Sequence, residues 1–225
     1  MAAVKKSRIF RTDEYRRVEK RIKRFLNSRE DFLSAATAGS PRAAGDAIQE
    51  ILSASFAEIL GSLCSECSSD FARRAMADIA FSDPDGLYDV VDVKTHRTDT
   101  AFNMPNLTSV ERLTRFYEDD RNHFVILKVS YSVKKTRVMA SDVLFVPIEF
   151  IGWDSLTIGA LGWGQIQIAD ANHVTLEAGY SRKRWMVQLC DTMLAFYPKE
   201  MAKIEGRLAR FRQLRQHWQA KPDDT

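Results

Sequence analysis

The architecture of this chain depends most on residues 76–95, which read MADIAFSDPDGLYDVVDVKT. The first part alternates apolar and polar residues with a period of two, which predicts a strand over 76–83. The turn DPDG at 83–86 has proline second and glycine fourth, the pattern of a type I turn. LYDVVDVKT at 87–95 is rich in β-branched residues and predicts a second strand. We therefore expect a β-hairpin here.

Three charged side chains of this hairpin are expected to converge. Asp92 and Lys94 are two residues apart in a strand, so they project from the same face, roughly 6–7 Å apart. Asp78 lies on the preceding strand, opposite its apolar neighbours, and the turn would bring it near Asp92. Strand interiors disfavour aspartate and lysine. Two interpretations are open: an edge strand charged against aggregation, or a divalent-metal site.

A divalent-metal site would give these residue types a chemical role. Hard cations such as Mg²⁺ take oxygen ligands, commonly one or two carboxylates together with phosphate oxygens and waters. The metal would polarise a phosphate and lower the pKa of a bound water. The lysine would place positive charge where the transition state gathers negative charge. Under this interpretation the hairpin is a site for phosphate chemistry.

Helices and further strands are predicted around the hairpin. Hydrophobic spacing predicts helices over four ranges: 12–28, 46–68, 109–118 and 181–217. Strands after the hairpin are predicted over three ranges: 123–132, 136–149 and 156–168. The small residues of 35–45 predict a linker, and Pro198 predicts a break or kink in the last helix. The fold class is therefore α/β or α+β, with a central mixed β-sheet flanked by helices.

Composition narrows the class of protein. The 225 residues are 45% hydrophobic and 28% charged, which is typical of a folded globular chain. No apolar run of about 18 residues predicts a membrane span, and the N-terminus has no apolar signal region. The three cysteines fit a reducing compartment. We therefore expect a cytoplasmic protein with no membrane partner.

Positive charge is concentrated at the N-terminus. Residues 1–27 contain ten Lys and Arg against three Asp and Glu, whereas the whole chain has a net charge of +3. The basic helix is either a solvated face or an arm that lies along nucleic-acid phosphates. We predict a basic helical arm over 1–34 and a domain that contains the hairpin over 35–225, within one compact domain overall.

The hairpin resembles the core of a nuclease family. An acid on one strand, followed by acid-x-Lys on the next, is the PD-(D/E)xK signature, present here as Asp78 and Asp92-Val93-Lys94. The similar segments, in chain order, are ADIAF (77–81), YDVVDVKT (88–95), Phe102-x-x-Pro105-Asn106, IGALGWGQIQI (158–168) and RKRWMVQL (182–189). Over about residues 45–215 the chain is similar to type II restriction endonucleases of the HincII type.

The resemblance implies a restriction-endonuclease-like core and a Mg²⁺ site. Asp78 and Asp92 match the family's metal-binding carboxylates, and the Val93 carbonyl would supply a further ligand. Lys94 matches the catalytic lysine that orients or activates the attacking water. The family also places a glutamate on the helix before the hairpin. Glu58 is the better match and Glu50 the alternative, with surface exposure expected for both.

The resemblance also implies DNA contacts beside the hairpin. The predicted contacts are Thr95, His96, Arg97, Asn103, Asn106 and Gln165. Asparagine and threonine can bond base edges, whereas His96 and Arg97 suit phosphates. Asn106 matches a base-contacting asparagine, and Asn103 lies where a relative has a glutamine that wedges into the base stack. Gln165 follows a glycine-rich turn and could bond adenine. The alternatives are a solvated loop over 95–109 and a simple turn before Gln165.

The implied function is that of a type II restriction endonuclease. Such an enzyme uses Mg²⁺ to hydrolyse both strands of a short palindrome in duplex DNA, leaving 5′-phosphates and, in the HincII branch, blunt ends. A homodimer is expected because its two-fold symmetry mirrors the palindrome, with the helices flanking residues 44–68 among the contacts. A partner methyltransferase is implied genetically. The alternatives are a repair or structure-specific nuclease and a non-catalytic DNA-binding protein.

Overall fold

The computed structural model describes residues 7–30, 32–68, 77–100 and 104–223. Two compact units divide the chain, residues 1–180 and residues 181–225. The first unit contains the sheets and most of the helices, and the second is built from one long helix. The boundary predicted between residues 34 and 35 lies inside the first unit.

The described residues form six α-helices, and serine caps explain why some begin where they do. Helices α1 to α6 are Arg8–Arg11, Glu14–Ser28, Ala35–Gly39, Pro41–Leu60, Val110–Phe116 and Arg182–Gln219. The linker predicted over 35–45 is wrong, because this segment is helical. The side chains of Ser34 and Ser40 cap α3 and α4, and Pro41 occupies the first turn of α4, where its missing N–H costs nothing.

Helix α4 begins earlier and ends earlier than the range of 46–68 that the spacing predicts. Its last residue is Leu60, and Gly61 follows with φ +57°. This left-handed conformation is readily adopted by glycine and ends many helices. The apolar stripe of α4, which includes Ile48 and Phe56, is buried. The predicted helix is therefore confirmed in its buried stripe and wrong in its ends.

Eight described strands form two sheets. Strands β1 to β8 are Glu66–Ser68, Ile79–Ser82, Tyr88–Arg97, Asn106–Ser109, Asn122–Lys134, Arg137–Pro147, Leu156–Gly159 and Gln165–Ile168. The central sheet has the order β1-β2-β3-β5-β6, with β3 and β5 parallel and the other pairs antiparallel. The second sheet, β4-β8-β7, is antiparallel. The predicted mixed sheet flanked by helices is confirmed.

The central hairpin forms from β2 and β3, which pair antiparallel. Its turn closes where the Gly86 N–H donates to the Asp83 carbonyl at 3.0 Å. Strand β3 continues to Arg97, because all ten of its residues pair in parallel with β5. The loop predicted over 95–109 is therefore wrong at both ends, since β3 includes its first residues and β4 includes its last.

Helices α2 and α4 cover one face of the central sheet. Phe56 of α4 packs against Phe81 and Phe145, with ring centroids 5.9 and 6.0 Å apart. Gly45 lets α4 approach closely, because a Cβ there would lie 2.4 Å from Thr95 Oγ1. Side chains alternate along a strand, so neighbours of these residues point to the other face. That opposite face carries the polar groups described below.

The basic N-terminal helix α2 packs its apolar side on the sheet. Val18 and Ile22 are fully buried, as their helical spacing predicts. The Asn27 side chain fixes the end of α2 to strand β6, accepting from the Ala140 N–H at 2.7 Å and donating to the Ala140 carbonyl at 3.1 Å. Arg24 and other basic side chains remain exposed. The positive charge predicted from the sequence therefore lies on the outer side of a packed helix.

The second unit consists mainly of helix α6. The Ser181 hydroxyl caps its start by accepting from the Arg184 N–H at 3.2 Å. The helix continues through Pro198 to Gln219, so the predicted break does not occur, and the alternative of a kink stays a prediction. One proline removes a single intrahelical hydrogen bond, and the turns around it keep theirs. No helix in the described part of the chain is long and apolar enough to cross a bilayer.

Candidate active site

The face of β3 opposite helix α4 carries a row of polar side chains at every second residue, namely Asp92, Lys94 and His96. The Lys94 ammonium donates to Asp92 Oδ1 at 2.7 Å. The Asp92 side chain is 7% exposed and the Lys94 side chain 23% exposed. The two residues share a face, as the spacing predicts. Their ion pair is therefore partly desolvated, which strengthens its electrostatic field.

The two oxygens of the Asp92 carboxylate differ in their hydrogen bonding. Oδ1 receives the lysine, whereas Oδ2 is buried and has no hydrogen-bond partner among the described residues. Burial raises the pKa of the Asp92 carboxyl to about 7; Lys94 opposes this rise and the charge of Asp78 adds to it. A buried acceptor without a donor is unfavourable unless something binds it. The free oxygen is therefore suited to a cation.

Asp78 lies just before β2 and is held by two donors. Gln49 of α4 donates from Nε2 to Asp78 Oδ1 at 2.6 Å, and the Val93 N–H donates to Asp78 Oδ2 at 2.7 Å. Each carboxylate oxygen keeps a further lone pair for another partner. The backbone of Val93 thus orients Asp78 toward the site, and the role predicted for the Val93 carbonyl stays a prediction.

The glutamates predicted to assist lie elsewhere on α4. Glu50 and Glu58 are both exposed, as expected. Glu58 lines a surface groove beside Arg21 and Arg24 of α2. The α4 side chain that contacts Asp78 is Gln49. Sequence reasoning missed Gln49 because an uncharged amide on a helix carries no signal of its own.

A second lysine lies beside the ion pair. Lys128 of β5 is the register partner of Lys94, and cross-strand partners point to the same face of a sheet. Its ammonium donates to Ser130 Oγ at 3.4 Å. Burial lowers the pKa of Lys128, against the opposing charges of Asp142 and Asp170. Sequence reasoning missed it, although a lysine inside the apolar run HFVILKVSYSV is the same signal that identified Lys94.

The carboxylate ligands at this site suit Mg²⁺ better than a metal ion whose ligands all come from the protein. Across the described ranges, no three His, Cys, Asp or Glu side chains are grouped to hold a metal ion. Structural zinc needs four such ligands. Mg²⁺ commonly takes one or two carboxylates and fills its other positions with phosphate oxygens and waters. Asp78 and the free Asp92 oxygen are the groups that would hold it.

The predicted DNA contacts Thr95, His96 and Arg97 belong to β3 rather than to a loop. His96 is 3% exposed, and its Nε2 lies 2.8 Å from Asn172 Oδ1. The Arg97 guanidinium donates to the Ala38 carbonyl at 3.0 Å. Each side chain thus already has a protein partner, and a phosphate contact through His96 Nε2 would have to replace Asn172.

Asn106 and Gln165 lie together on the three-stranded sheet. Gln167 of β8 is opposite Asn106 of β4 and donates to Asn106 Oδ1 at 2.6 Å. Gln165 is two residues earlier and shares the face of Gln167. Gly159 of β7 makes room, since a Cβ there would lie 2.8 Å from Gln167 Oε1. We call Asn106, Gln165 and Gln167 the amide face; the predicted contact Asn103 lies outside the described residues.

The first unit thus presents two polar surfaces with different chemistry. The central sheet holds two carboxylates and an ammonium in a partly desolvated group, and the amide face offers paired donors and acceptors. The alternation QIQI could have identified Gln167 together with Gln165. No model of a known protein family matches the chain, and no curated protein matches its sequence.

Proposed function

We propose that this protein is a Mg²⁺-dependent endonuclease acting on duplex DNA, and more specifically a type II restriction endonuclease. The observation that carries the proposal is the buried Asp92 carboxylate, which bonds Lys94 through one oxygen and has no partner for the other within the described residues. Asp78 lies close enough to influence its pKa. These are also the residues that match the PD-(D/E)xK pattern.

The site has the groups that phosphodiester hydrolysis requires. Bound Mg²⁺ would polarise the phosphate and lower the pKa of the attacking water. Lys94 would orient that water or stabilise the negative charge that develops on the phosphate. Gln49 and the Val93 N–H hold Asp78 in a fixed orientation, which reduces the rearrangement needed in the transition state. Breaking the P–O3′ bond leaves a 5′-phosphate and a 3′-hydroxyl.

Sequence recognition is proposed for the amide face. Asn and Gln amides can form two hydrogen bonds with adenine in the major groove. Asn106 and Gln165 lie on one sheet within the same unit as the carboxylates. A single hairpin site cuts one strand, so cutting both strands of a palindrome takes two copies of the chain. We therefore include a homodimer, a restriction-endonuclease-like core and blunt ends in the proposal.

Digestion of several phage DNAs by the purified protein tests this proposal. With Mg²⁺ we expect discrete fragments whose sequenced ends share one palindrome and carry 5′-phosphates; with EDTA we expect intact DNA. Asp92→Asn is the matched inactive control. Cleavage of flaps or junctions alone would favour a structure-specific nuclease of the same superfamily. Binding without any Mg²⁺-dependent cleavage would favour a non-catalytic DNA-binding protein and contradict the proposal.

A further inference from the structure

Helix α6 carries a seven-residue repeat of exposed apolar side chains. If Val187 is taken as position a of a heptad, the next three a positions hold Leu194, Met201 and Leu208, and the fifth a position holds Arg215. The four apolar side chains are at least half exposed, with Leu194 at 73% and Met201 at 61%. Large apolar side chains at this exposure lose the stabilisation that burial would give them. Their regular spacing therefore calls for a partner surface.

The d positions of the same heptads continue the pattern. They hold Cys190, Tyr197, Ile204, Phe211 and Trp218, and all five are exposed. Positions a and d alternate at three and four residues, so they form one continuous seam along the helix. We call these a and d side chains the heptad stripe. It runs from Val187 to Trp218, about 46 Å at 1.5 Å per residue.

The length and period of the heptad stripe identify its partner as another helix. A repeat of 3.5 residues drifts around a straight α-helix of 3.6 residues per turn, so only a helix that supercoils with it can follow the seam. Elsewhere in the described ranges the longest helix is α4, with 20 residues and a stripe already buried against the sheet. A second copy of α6 supplies a seam of the same length and period.

We propose that two copies of this chain associate through α6 as an antiparallel coiled coil. Antiparallel pairing opposes a positions with d positions, and full overlap places its centre between Ala202 and Lys203. The layers then pair Val187 with the partner's Trp218, Leu194 with the partner's Phe211, and Met201 with the partner's Ile204. These three layers are apolar on both sides, whereas the layer next to each end pairs Cys190 with the partner's Arg215.

Charges beside the heptad stripe favour this orientation. Positions g hold Glu200 and Arg207, and positions e hold Asp191, Glu205 and Arg212. In the antiparallel register, Glu200 lies near the partner's Arg207, and Asp191 near the partner's Arg212. A parallel in-register pair would instead place Glu200 near the partner's Glu205, and Arg207 near the partner's Arg212. Flanking charges of this kind set the orientation of coiled coils.

Light scattering on the full chain over a range of concentrations tests the interface. We expect about twice the chain mass of 25.7 kDa. Ile204→Glu places a charge in the central layer and should give monomer, whereas Ala202→Glu on the outer side of the helix should leave the dimer intact. Circular dichroism checks that both variants keep their helix. A monomeric wild type, or a dimer that survives Ile204→Glu, would overturn the proposal.

Charge reversal tests the orientation without touching the apolar layers. Glu200→Arg and Arg207→Glu should each weaken the dimer by roughly 5- to 30-fold, because each replaces two symmetric attractions by repulsions. The double variant should recover most of the loss. In a parallel pair each single change would create new attractions, so tighter dimers would overturn the proposal. A dimer that survives Ile204→Glu would overturn the α6 interface and leave the proposed homodimeric nuclease standing. A dimer that dissociates with Ile204→Glu but never cleaves DNA would support the interface and contradict the proposed function.

Discussion

The central hairpin and the amide face use polar side chains in opposite ways. In the hairpin, the buried Asp92 and the partly exposed Lys94 form an ion pair within a five-stranded sheet. On the smaller sheet, Asn106 is exposed and bonds another surface amide, Gln167. Charged groups held in a low-dielectric environment have strong electrostatic interactions and need little reorganisation, which suits catalysis. Exposed amides can exchange partners, which suits contact with varied surfaces such as base edges.

The largest effect that separates the two surfaces is expected from Asp92→Asn. This change removes a carboxylate charge from the proposed metal site and leaves its size unchanged. Cleavage should fall on the order of 10³-fold or more, since metal positioning and charge stabilisation are both lost. Single-turnover cleavage with Mg²⁺ measures this. In the absence of metal the variant should bind DNA more tightly, because one carboxylate no longer repels the phosphates.

Stability against pH should reveal the buried carboxylate directly. Burial raises the pKa of Asp92 to about 7, so between pH 5 and 7 the folded chain keeps a proton that the unfolded chain has already lost at lower pH. Folding stability should therefore fall as pH rises, by about 3 kcal/mol between pH 5 and 8. Urea unfolding without metal should show this fall in wild type and in the exposed control Glu58→Gln. Asp92→Asn should not show this fall in stability. If its stability depends on pH as that of wild type does, the burial of the Asp92 carboxylate is not the cause.

A smaller effect is expected on the amide face. If Asn106 contacts a base edge, Asn106→Ala should lose roughly 1–3 kcal/mol of discrimination at one base pair while nonspecific affinity changes little. Competition binding against singly substituted DNA sites measures this. Gln167→Ala is the matched control, because it removes the neighbouring amide but leaves Asn106 in place. Uniform weakening on every sequence would instead assign Asn106 to backbone positioning.

Local patterns in the sequence predict the hairpin well. The period of two places Asp92 and Lys94 on one face, and the DPDG turn needs only its own residues to close. The extension of β3 to Arg97 could not be predicted in this way, because it depends on parallel pairing with β5, about 34 residues later in the chain. Pairing between residues so far apart in the chain cannot be predicted from the local hydrophobic pattern.

Small residues misled the prediction of a linker over 35–45. Alanine, serine and glycine suggest flexibility, yet Ser34 and Ser40 act here as helix caps. The contact between Gln49 and Asp78 was also beyond prediction, since it depends on how α4 packs across the sheet. Spacing along each element could thus be predicted, whereas contacts between elements required the structure.

The most direct test of the account is the rate of DNA cleavage by Lys94→Ala, measured beside its DNA affinity. Lys94 is expected to act on the water or on the developing charge without holding metal. The variant should therefore fold and bind its DNA site as wild type does, while Mg²⁺-dependent cleavage slows on the order of 10²-fold or more. Cleavage at a rate near that of wild type would show that the hairpin is only a charged part of the sheet.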